Sequence, residues 1–394
     1  MSGADSYLMK SKTAVSQYSL VHRPKTFEDV RGQEGIIREF KKRSKLNNFP
    51  SAMLFQGPTG VGKTTLAFLA AASIQCQHKD DEGNPCGECA SCKDIFEESF
   101  ARGTMMLDGG SSSKDDVIQL IEQTVHSKPL NSPKYVFIIE EVDQLSTAAK
   151  NAFHKILEKP SPYVHFILLS MTEGNGNKVP VSIADRCQPY HFKNLTEKDI
   201  AYTLKGILEK EGRWEDIPTE FKKEGIFLLV NNAKGSLRRA VQFLERAMLG
   251  EFYSVADIED NFKFVSEAAG LSILQHIIKG KSVEFNKELE EMRRENKLAD
   301  WVHMVNYFCL RHRQNLIAGE DFDQSPSSSL LKKMDKAKFL VLNFKVRAMA
   351  EELRHGSYMT STHIAHMMID LFNGLTSESE PSTKESIPIR GSSK

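Results

Sequence analysis

The stretch Ser51–Ala70, SAMLFQGPTGVGKTTLAFLA, decides the fold. An apolar run, Ala52 to Phe55, is followed by a glycine-rich turn, a lysine and an alanine-rich segment. Gly57, Gly62, Lys63 and Thr64 stand at the G-x-x-x-x-G-K-T spacing of a P-loop. The apolar run reads as a buried strand, and Thr65–Ala72 as a helix. The bland alternative, a Gly/Pro turn before a core helix, is disfavoured because strand, loop and helix all agree with the motif. Glycines let the backbone curl so that its N–H groups face an anion, and the helix N-terminus adds positive dipole. Pro58, Thr59, Gly60 and Val61 complete the loop, and Thr65 follows on the helix. Lys63 is expected on the β- and γ-phosphates of a nucleotide, and the Thr64 hydroxyl on Mg²⁺.

Outward from the loop, strand-like runs recur at AMLFQG, TMMLDG, KYVFIIEEV and VHFILLSM, with helical patterns between them. That alternation predicts an α/β fold with a largely parallel sheet covered on both faces. The run KYVFIIEEV ends in Glu140 and Glu141. A buried strand that stops in acids at its C-terminal edge places them beside the P-loop. Glu140 is expected to help hold Mg²⁺, and Glu141 to orient the water that attacks the γ-phosphate. VHFILLSM ends near Ser170 and Thr172, two polar groups placed to sense that phosphate. Arg186, in SIADRCQPYHF, is a candidate finger for a neighbouring subunit's ATP. Arg238, in GSLRRAVQFL, opens a helix from which it would reach back to the phosphates. Arg23 and Pro24, in HRP, would border the base. An isolated arginine is more often a surface ion pair; the order of these along the chain is what raises them.

IQCQHKDDEGNPCGECASCKD sets Cys76, Cys86, Cys89 and Cys92 within a short span. Four thiolates can close a tetrahedral, structural Zn²⁺ site. So tight a C-x-x-C-x-x-C run suits disulfides poorly; an iron–sulfur centre is the weaker metal alternative. His78 reads as a bystander, and Cys187 and Cys309 as buried thiols.

Lysine plus arginine and aspartate plus glutamate both number 52. The chain therefore carries no global field for a polyanion, and any nucleic-acid surface must be local or shared between subunits. No apolar run is long enough to span a bilayer, and MSGADSYLMKSK lacks a signal peptide's apolar core. A cytoplasmic protein with no membrane partner is expected. At 394 residues, two or three domains are expected: 1–193 holding the P-loop and, at 76–92, the cysteine insert; a helical 194–252, its first helix capped by Thr196 and Asp199; a helical 253–375; and beyond them a polar, disordered tail, 376–394.

The series HRPKTFEDVRGQE, GPTGVGKTT, the four-cysteine insert, FIIEEVDQLSTAAKNAFHKILEKPSPYVHFIL, VPVSIADRCQPYHF and GSLRRA resembles the ATPase subunits of bacterial DNA polymerase III clamp loaders, the gamma/tau family of AAA+ proteins. The resemblance covers roughly residues 18–250, and the zinc insert inside an AAA+ domain is its most specific part. It implies an AAA+ core, a small helical lid and a helical collar, with ATP, Mg²⁺ and Zn²⁺ as cofactors. It also implies assembly with other clamp-loader subunits into a partial ring that opens a sliding clamp on primer–template DNA, with a replicative polymerase as a further partner. Two other readings stay open: an ATP-binding, stator-like scaffold of such a complex, and a different AAA+ DNA-remodelling ATPase. The chain departs from the family at Glu140, where aspartate is usual, and at Asp185, where serine is usual. LDGGSSSKDD carries one main cation, Lys114, where the family is more basic.

Overall fold

The computed structural model describes residues 17–100, 102–110, 128–171, 179–262, 264, 267–295, 297–318, 330–332, 334–354 and 361–376. The expectations for Thr172, for Lys114 and for the tail beyond Thr376 fall outside these residues. The chain divides into two compact units: one runs to Phe264, and the other comprises the residues from Val265 to Leu353 and from Met359 on.

The first unit is built on five parallel strands: β1 (Ala52–Gln56), β2 (Thr104–Asp108), β3 (Tyr135–Glu140), β4 (Val164–Ser170) and β5 (Gln188–His191), in the order β2-β3-β4-β1-β5. The P-loop strand therefore lies between β4 and β5, and the acid-tipped β3 one strand further on. Register pairs Leu54 with Leu168, and Ile138 with Ile167. Successive residues point to opposite faces of a strand, and both faces here are apolar. Met53, Phe55, Val136, Ile138, Ile167 and Leu169 pack on one side. Ala52, Leu54, Phe137, Ile139, Phe166 and Leu168 pack on the other. Such strands need helices on both faces. After α1 (Gln17–Val21), the first face is covered by α2 (Glu34–Lys45), α3 (Lys63–Gln75) and α4 (Ala90–Phe96), the second by α5 (Thr147–Glu158) and α6 (Val181–Ala184). Helix α3 is buried from Leu66 to Ser73, which explains its alanine richness: small side chains let it lie close to the sheet.

Next, α7 (Glu197–Lys210), α8 (Ile226–Asn232), α9 (Leu237–Gly250) and α10 (Val255–Phe262) close around Leu204, Phe221, Leu229, Leu244 and Ile258. Helix α7 starts with the expected capping box: Thr196 accepts from the Asp199 N–H while Asp199 accepts from the Thr196 N–H. Helix α10 packs onto the single π turn Phe221–Gly225 inside this cluster.

The second unit consists, among the described residues, of α11 (Glu267–Lys279), α12 (Ser282–Arg294), α13 (Leu298–Ala318), α14 (Lys336–Arg354) and α15 (Ser361–Thr376). Its core centres on Trp301, which is fully buried and donates its indole N–H to the Gly270 carbonyl at 3.2 Å. Among the described residues no helix is long and apolar enough to cross a membrane.

Candidate nucleotide site and cysteine cluster

The C-terminal ends of parallel strands gather the polar groups of the first unit, as expected for an open α/β sheet. Beyond β1, the loop turns on Gly60 (φ 79°) and Gly62 (φ 99°), in a backbone region that suits glycine. Gly62 caps α3, and the chain enters the helix at Lys63. The Lys63 ammonium donates to the carbonyls of Gly57 at 2.6 Å and Pro58 at 2.7 Å. A phosphate oxygen is a charged acceptor for which it can exchange them. The Thr64 hydroxyl donates to Glu140 Oε1 at 2.7 Å. This places the two expected Mg²⁺ groups together from positions 76 residues apart.

Glu141 follows with φ 49° and ψ 44°, an uncommon conformation for a non-glycine residue. Partial withdrawal from water raises its carboxyl above the usual range, and Asp108, Asp143 and Glu140 add to the rise. Asp108 ends β2 in register with Glu140. Ser170 ends β4, is buried, and donates to Asp143 Oδ1 at 2.8 Å.

The helical part of the unit completes the site. Ser236 caps α9, and the next-but-one residue, Arg238, donates its backbone N–H to the Gly60 carbonyl at 3.3 Å. One cavity of about 660 Å³ is lined by Arg23, Pro24, the loop from Thr59 to Thr65, Glu140, Glu141, Ser170 and Arg238. Gly57 and Pro58 sit behind it through their bonds to Lys63. Arg23 donates to Glu98 Oε1 at 2.8 Å, and its guanidinium lies 4.6 Å from the Phe68 ring centroid.

Arg186 does not line this cavity. It follows α6 and donates to the Ser182 carbonyl at 2.7 Å and to Glu158 at 3.1 Å, so the carboxylate it meets is Glu158 rather than its neighbour Asp185. Three residues that contact the site without lining the cavity were not foreseen from sequence. Asp108 and Asp143 were visible only as acids at or near strand ends, and Glu98 carries no sequence signal.

The four cysteines converge. Their sulfurs lie within 4.8 Å of one another, and none is in a disulfide. Four sulfurs bound to zinc at about 2.3 Å each would stand roughly 3.8 Å apart; those of Cys86 and Cys92 are at 4.0 Å. Backbone N–H groups aim at sulfur: those of His78 and Cys86 donate to Cys76, each at 3.4 Å, and that of Cys89 donates to Cys86 at 3.3 Å. Such bonds favour thiolates. Against the burial that raises it, donors at Cys89 and Glu88 bring the Cys86 thiol down to about 7. Burial pushes Cys92 well up, a cost that a bound cation would offset. The donor set fits Zn²⁺. His78 joins through its backbone N–H, and its ring is outside the cluster. Cys187 and Cys309 are buried free thiols, each pushed by burial to about 12.

Comparison with known proteins agrees with this geometry. Residues 32–196 match the family described as DNA polymerase III, delta subunit. The chain is 37% identical over 226 residues to DNA polymerase III subunit tau/gamma of Haemophilus influenzae, covering 57% of this chain and 31% of that protein. It is 34% identical over 239 residues to subunit tau of Bacillus subtilis, covering 60% and 40%. It is 32% identical over 254 residues to subunit gamma of Buchnera aphidicola subsp. Schizaphis graminum, covering 64% and 66%. The chain thus spans less than half the length of the first two relatives. The Thermotoga maritima RuvB Holliday junction branch migration motor superposes with a TM-score of 0.43 at 17% identity, covering 66% of this chain and 80% of that one; so loose a match bears on nothing further. With the P-loop, the acid-tipped strand and the cysteine insert all in place, the chain is a divergent member of the bacterial DNA polymerase III gamma/tau family.

Proposed function

We propose that this chain is an ATP-hydrolysing subunit of a DNA polymerase clamp loader, opening a sliding clamp and placing it on primed DNA. The observation that carries the reading is the Thr64–Glu140 hydrogen bond, inside the cavity that also holds Lys63, Glu141 and Arg238. Phosphates entering there take the loop N–H groups and the Lys63 ammonium. Thr64 and Glu140 would hold Mg²⁺, which supplies neutralisation of phosphate charge. Glu141, with its raised carboxyl, accepts a hydrogen bond from the attacking water and so aims it at the γ-phosphate. Ser170 fixes the far side of that region, and Arg238 ties closure of the helical part to the nucleotide. Arg186 serves the ATP of an adjoining subunit. Cys76, Cys86, Cys89 and Cys92 would hold Zn²⁺ in a structural role.

Zero formal charge fits DNA contact shared among several subunits, with affinity that falls steeply with salt in the assembly. The test is ATP turnover with and without clamp and primer–template DNA. Turnover stimulated by both is expected, with Lys63→Ala lowering it about 10²–10³-fold and Arg186→Ala lowering it only in the assembled complex. Turnover indifferent to both clamp and DNA overturns the reading. Tight ATP binding without turnover in the full complex would make the chain a scaffold instead.

A further inference from the structure

We propose that the cysteine knuckle is the brace of the nucleotide cavity: Glu98 and Asn84 are positioning residues through which a bound metal and a bound nucleotide strengthen one another. This rests on the nucleotide reading above.

Two independent ties run from the knuckle to one short segment, Arg23–Phe27. The first passes through α4, whose N-cap is Cys89 and whose first turns hold Cys92. Two residues further on, Asp94 is buried and pins the chain beyond the helix: its carboxylate accepts from the Ser99 hydroxyl at 2.6 Å and from the Arg102 N–H at 3.0 Å. Between Asp94 and these partners stands Glu98, held at φ 57° with its N–H on the Ile95 carbonyl. Glu98 receives the Arg23 guanidinium at 2.8 Å. Arg23 lies over Phe68 of the P-loop helix and lines the cavity with Pro24.

The second tie is Asn84, two residues before Cys86. It is 5% exposed, and its Oδ1 accepts the Phe27 N–H at 2.9 Å. Its own orientation is fixed by Asp80, which accepts from the Asn84 backbone N–H at 2.7 Å and from Nδ2 at 2.8 Å. Phe27 is 1% exposed and packs in the same core cluster as Cys76, Cys92 and Phe68.

The cavity wall at Arg23 and Pro24 is therefore tied to the cysteine loop as well as to the P-loop helix. That loop gathers four sulfurs within 4.8 Å of one another. Ordering that loop with a metal pre-forms the wall, and a nucleotide against the wall holds the loop closed. Coupling between two bound ligands is reciprocal, so either can be the reporter.

The experiment uses the full, zinc-loaded chain. Zinc affinity is measured by equilibrium competition against a chromophoric chelator with and without ADP, and the dissociation constant for a fluorescent ADP analogue is measured before and after zinc removal. ADP is expected to tighten zinc binding about tenfold, and zinc loss to weaken ADP binding by the same factor. In Glu98→Ala with Asn84→Ala, both factors should fall toward one, with zinc and ADP each still binding; Glu98→Gln alone, which keeps an acceptor for Arg23, should retain most of the coupling. Zinc affinity indifferent to ADP in the native chain overturns the proposal, and this holds even if the metal-free chain fails to fold. Equal coupling in the double variant also overturns it. A zinc-loaded chain that binds no nucleotide overturns the nucleotide reading and the coupling with it.

Discussion

Glu141 combines a left-handed backbone with three carboxylates around its own. Strain of this kind persists only where neighbours over-determine it, and it collects at functional sites. Here it follows directly on β3, and the next two residues, Val142 and Asp143, are buried, Asp143 against the end of β4. The raised Glu141 carboxyl carries a sign for catalysis. In the role proposed for it Glu141 must be ionised to accept from water, so activity is expected to fall on the acidic side at a higher pH than an ordinary glutamate would impose. Removing one of the charges that raise it should move that limb. In Asp108→Asn the acidic limb of the kcat profile is expected at lower pH than in the native chain, with the alkaline side unchanged. The amide oxygen of the substituted side chain can still accept the Gly110 N–H, which Asp108 now accepts at 2.9 Å, so the turn survives. An unmoved limb would mean that Glu141 is not the group observed.

At the scale of elements, the contact between the P-loop and α9 is made through glycine. A Cβ on Gly60 would collide with the Ser236 hydroxyl and stand 3.1 Å from the Arg238 Cβ. Gly62 has the same kind of positive φ, but a Cβ there would meet nothing within 4 Å. The pair separates conformational cost from contact. Gly62→Ala should cost about 1 kcal/mol, the strain alone. Gly60→Ala should cost about 2–3 kcal/mol, because α9 must also retreat. Thermal unfolding without nucleotide reads the difference, and equal losses would mean that α9 does not bear on the loop. This element pair was half legible. GSLRRA announced a helix with an arginine at its start, but only the folded chain made Ser236 its cap and put it against Gly60.

For the molecule as a whole, acid stability has an identifiable contributor in β4. His165 lies largely out of water, donating its Nδ1–H to the Pro50 carbonyl at 2.9 Å, and burial lowers its pKa. The sign follows from which state binds the proton. The unfolded chain takes it near pH 6.5 and the folded chain only below that, so stability is full above about 6.5 and falls as the pH drops through it. In His165→Gln this part of the slope should disappear from urea midpoints measured between about pH 7 and 5. A slope unchanged from the native chain would assign it to other groups.

The sequence alone determined the layered parallel sheet, because its strands are apolar on both faces and alternate with helices. It also determined the P-loop and the four-sulfur cluster, because their chemistry needs few residues at fixed short spacing. Even the capping box at Thr196 was readable, since both partners lie within one turn. The edge strand β5 was barely so: Gln188 and Pro189 are exposed and polar or ring-locked, as an edge allows. What only the tertiary structure decided are pairs far apart in the chain: Thr64 with Glu140, Ser170 with Asp143, Arg23 with Glu98, and Phe27 with Asn84. A polar side chain facing a cavity looks in sequence like one facing water. Its partner is chosen by how the strands order themselves in the sheet and by where the cysteine loop closes, and neither is written in local spacing.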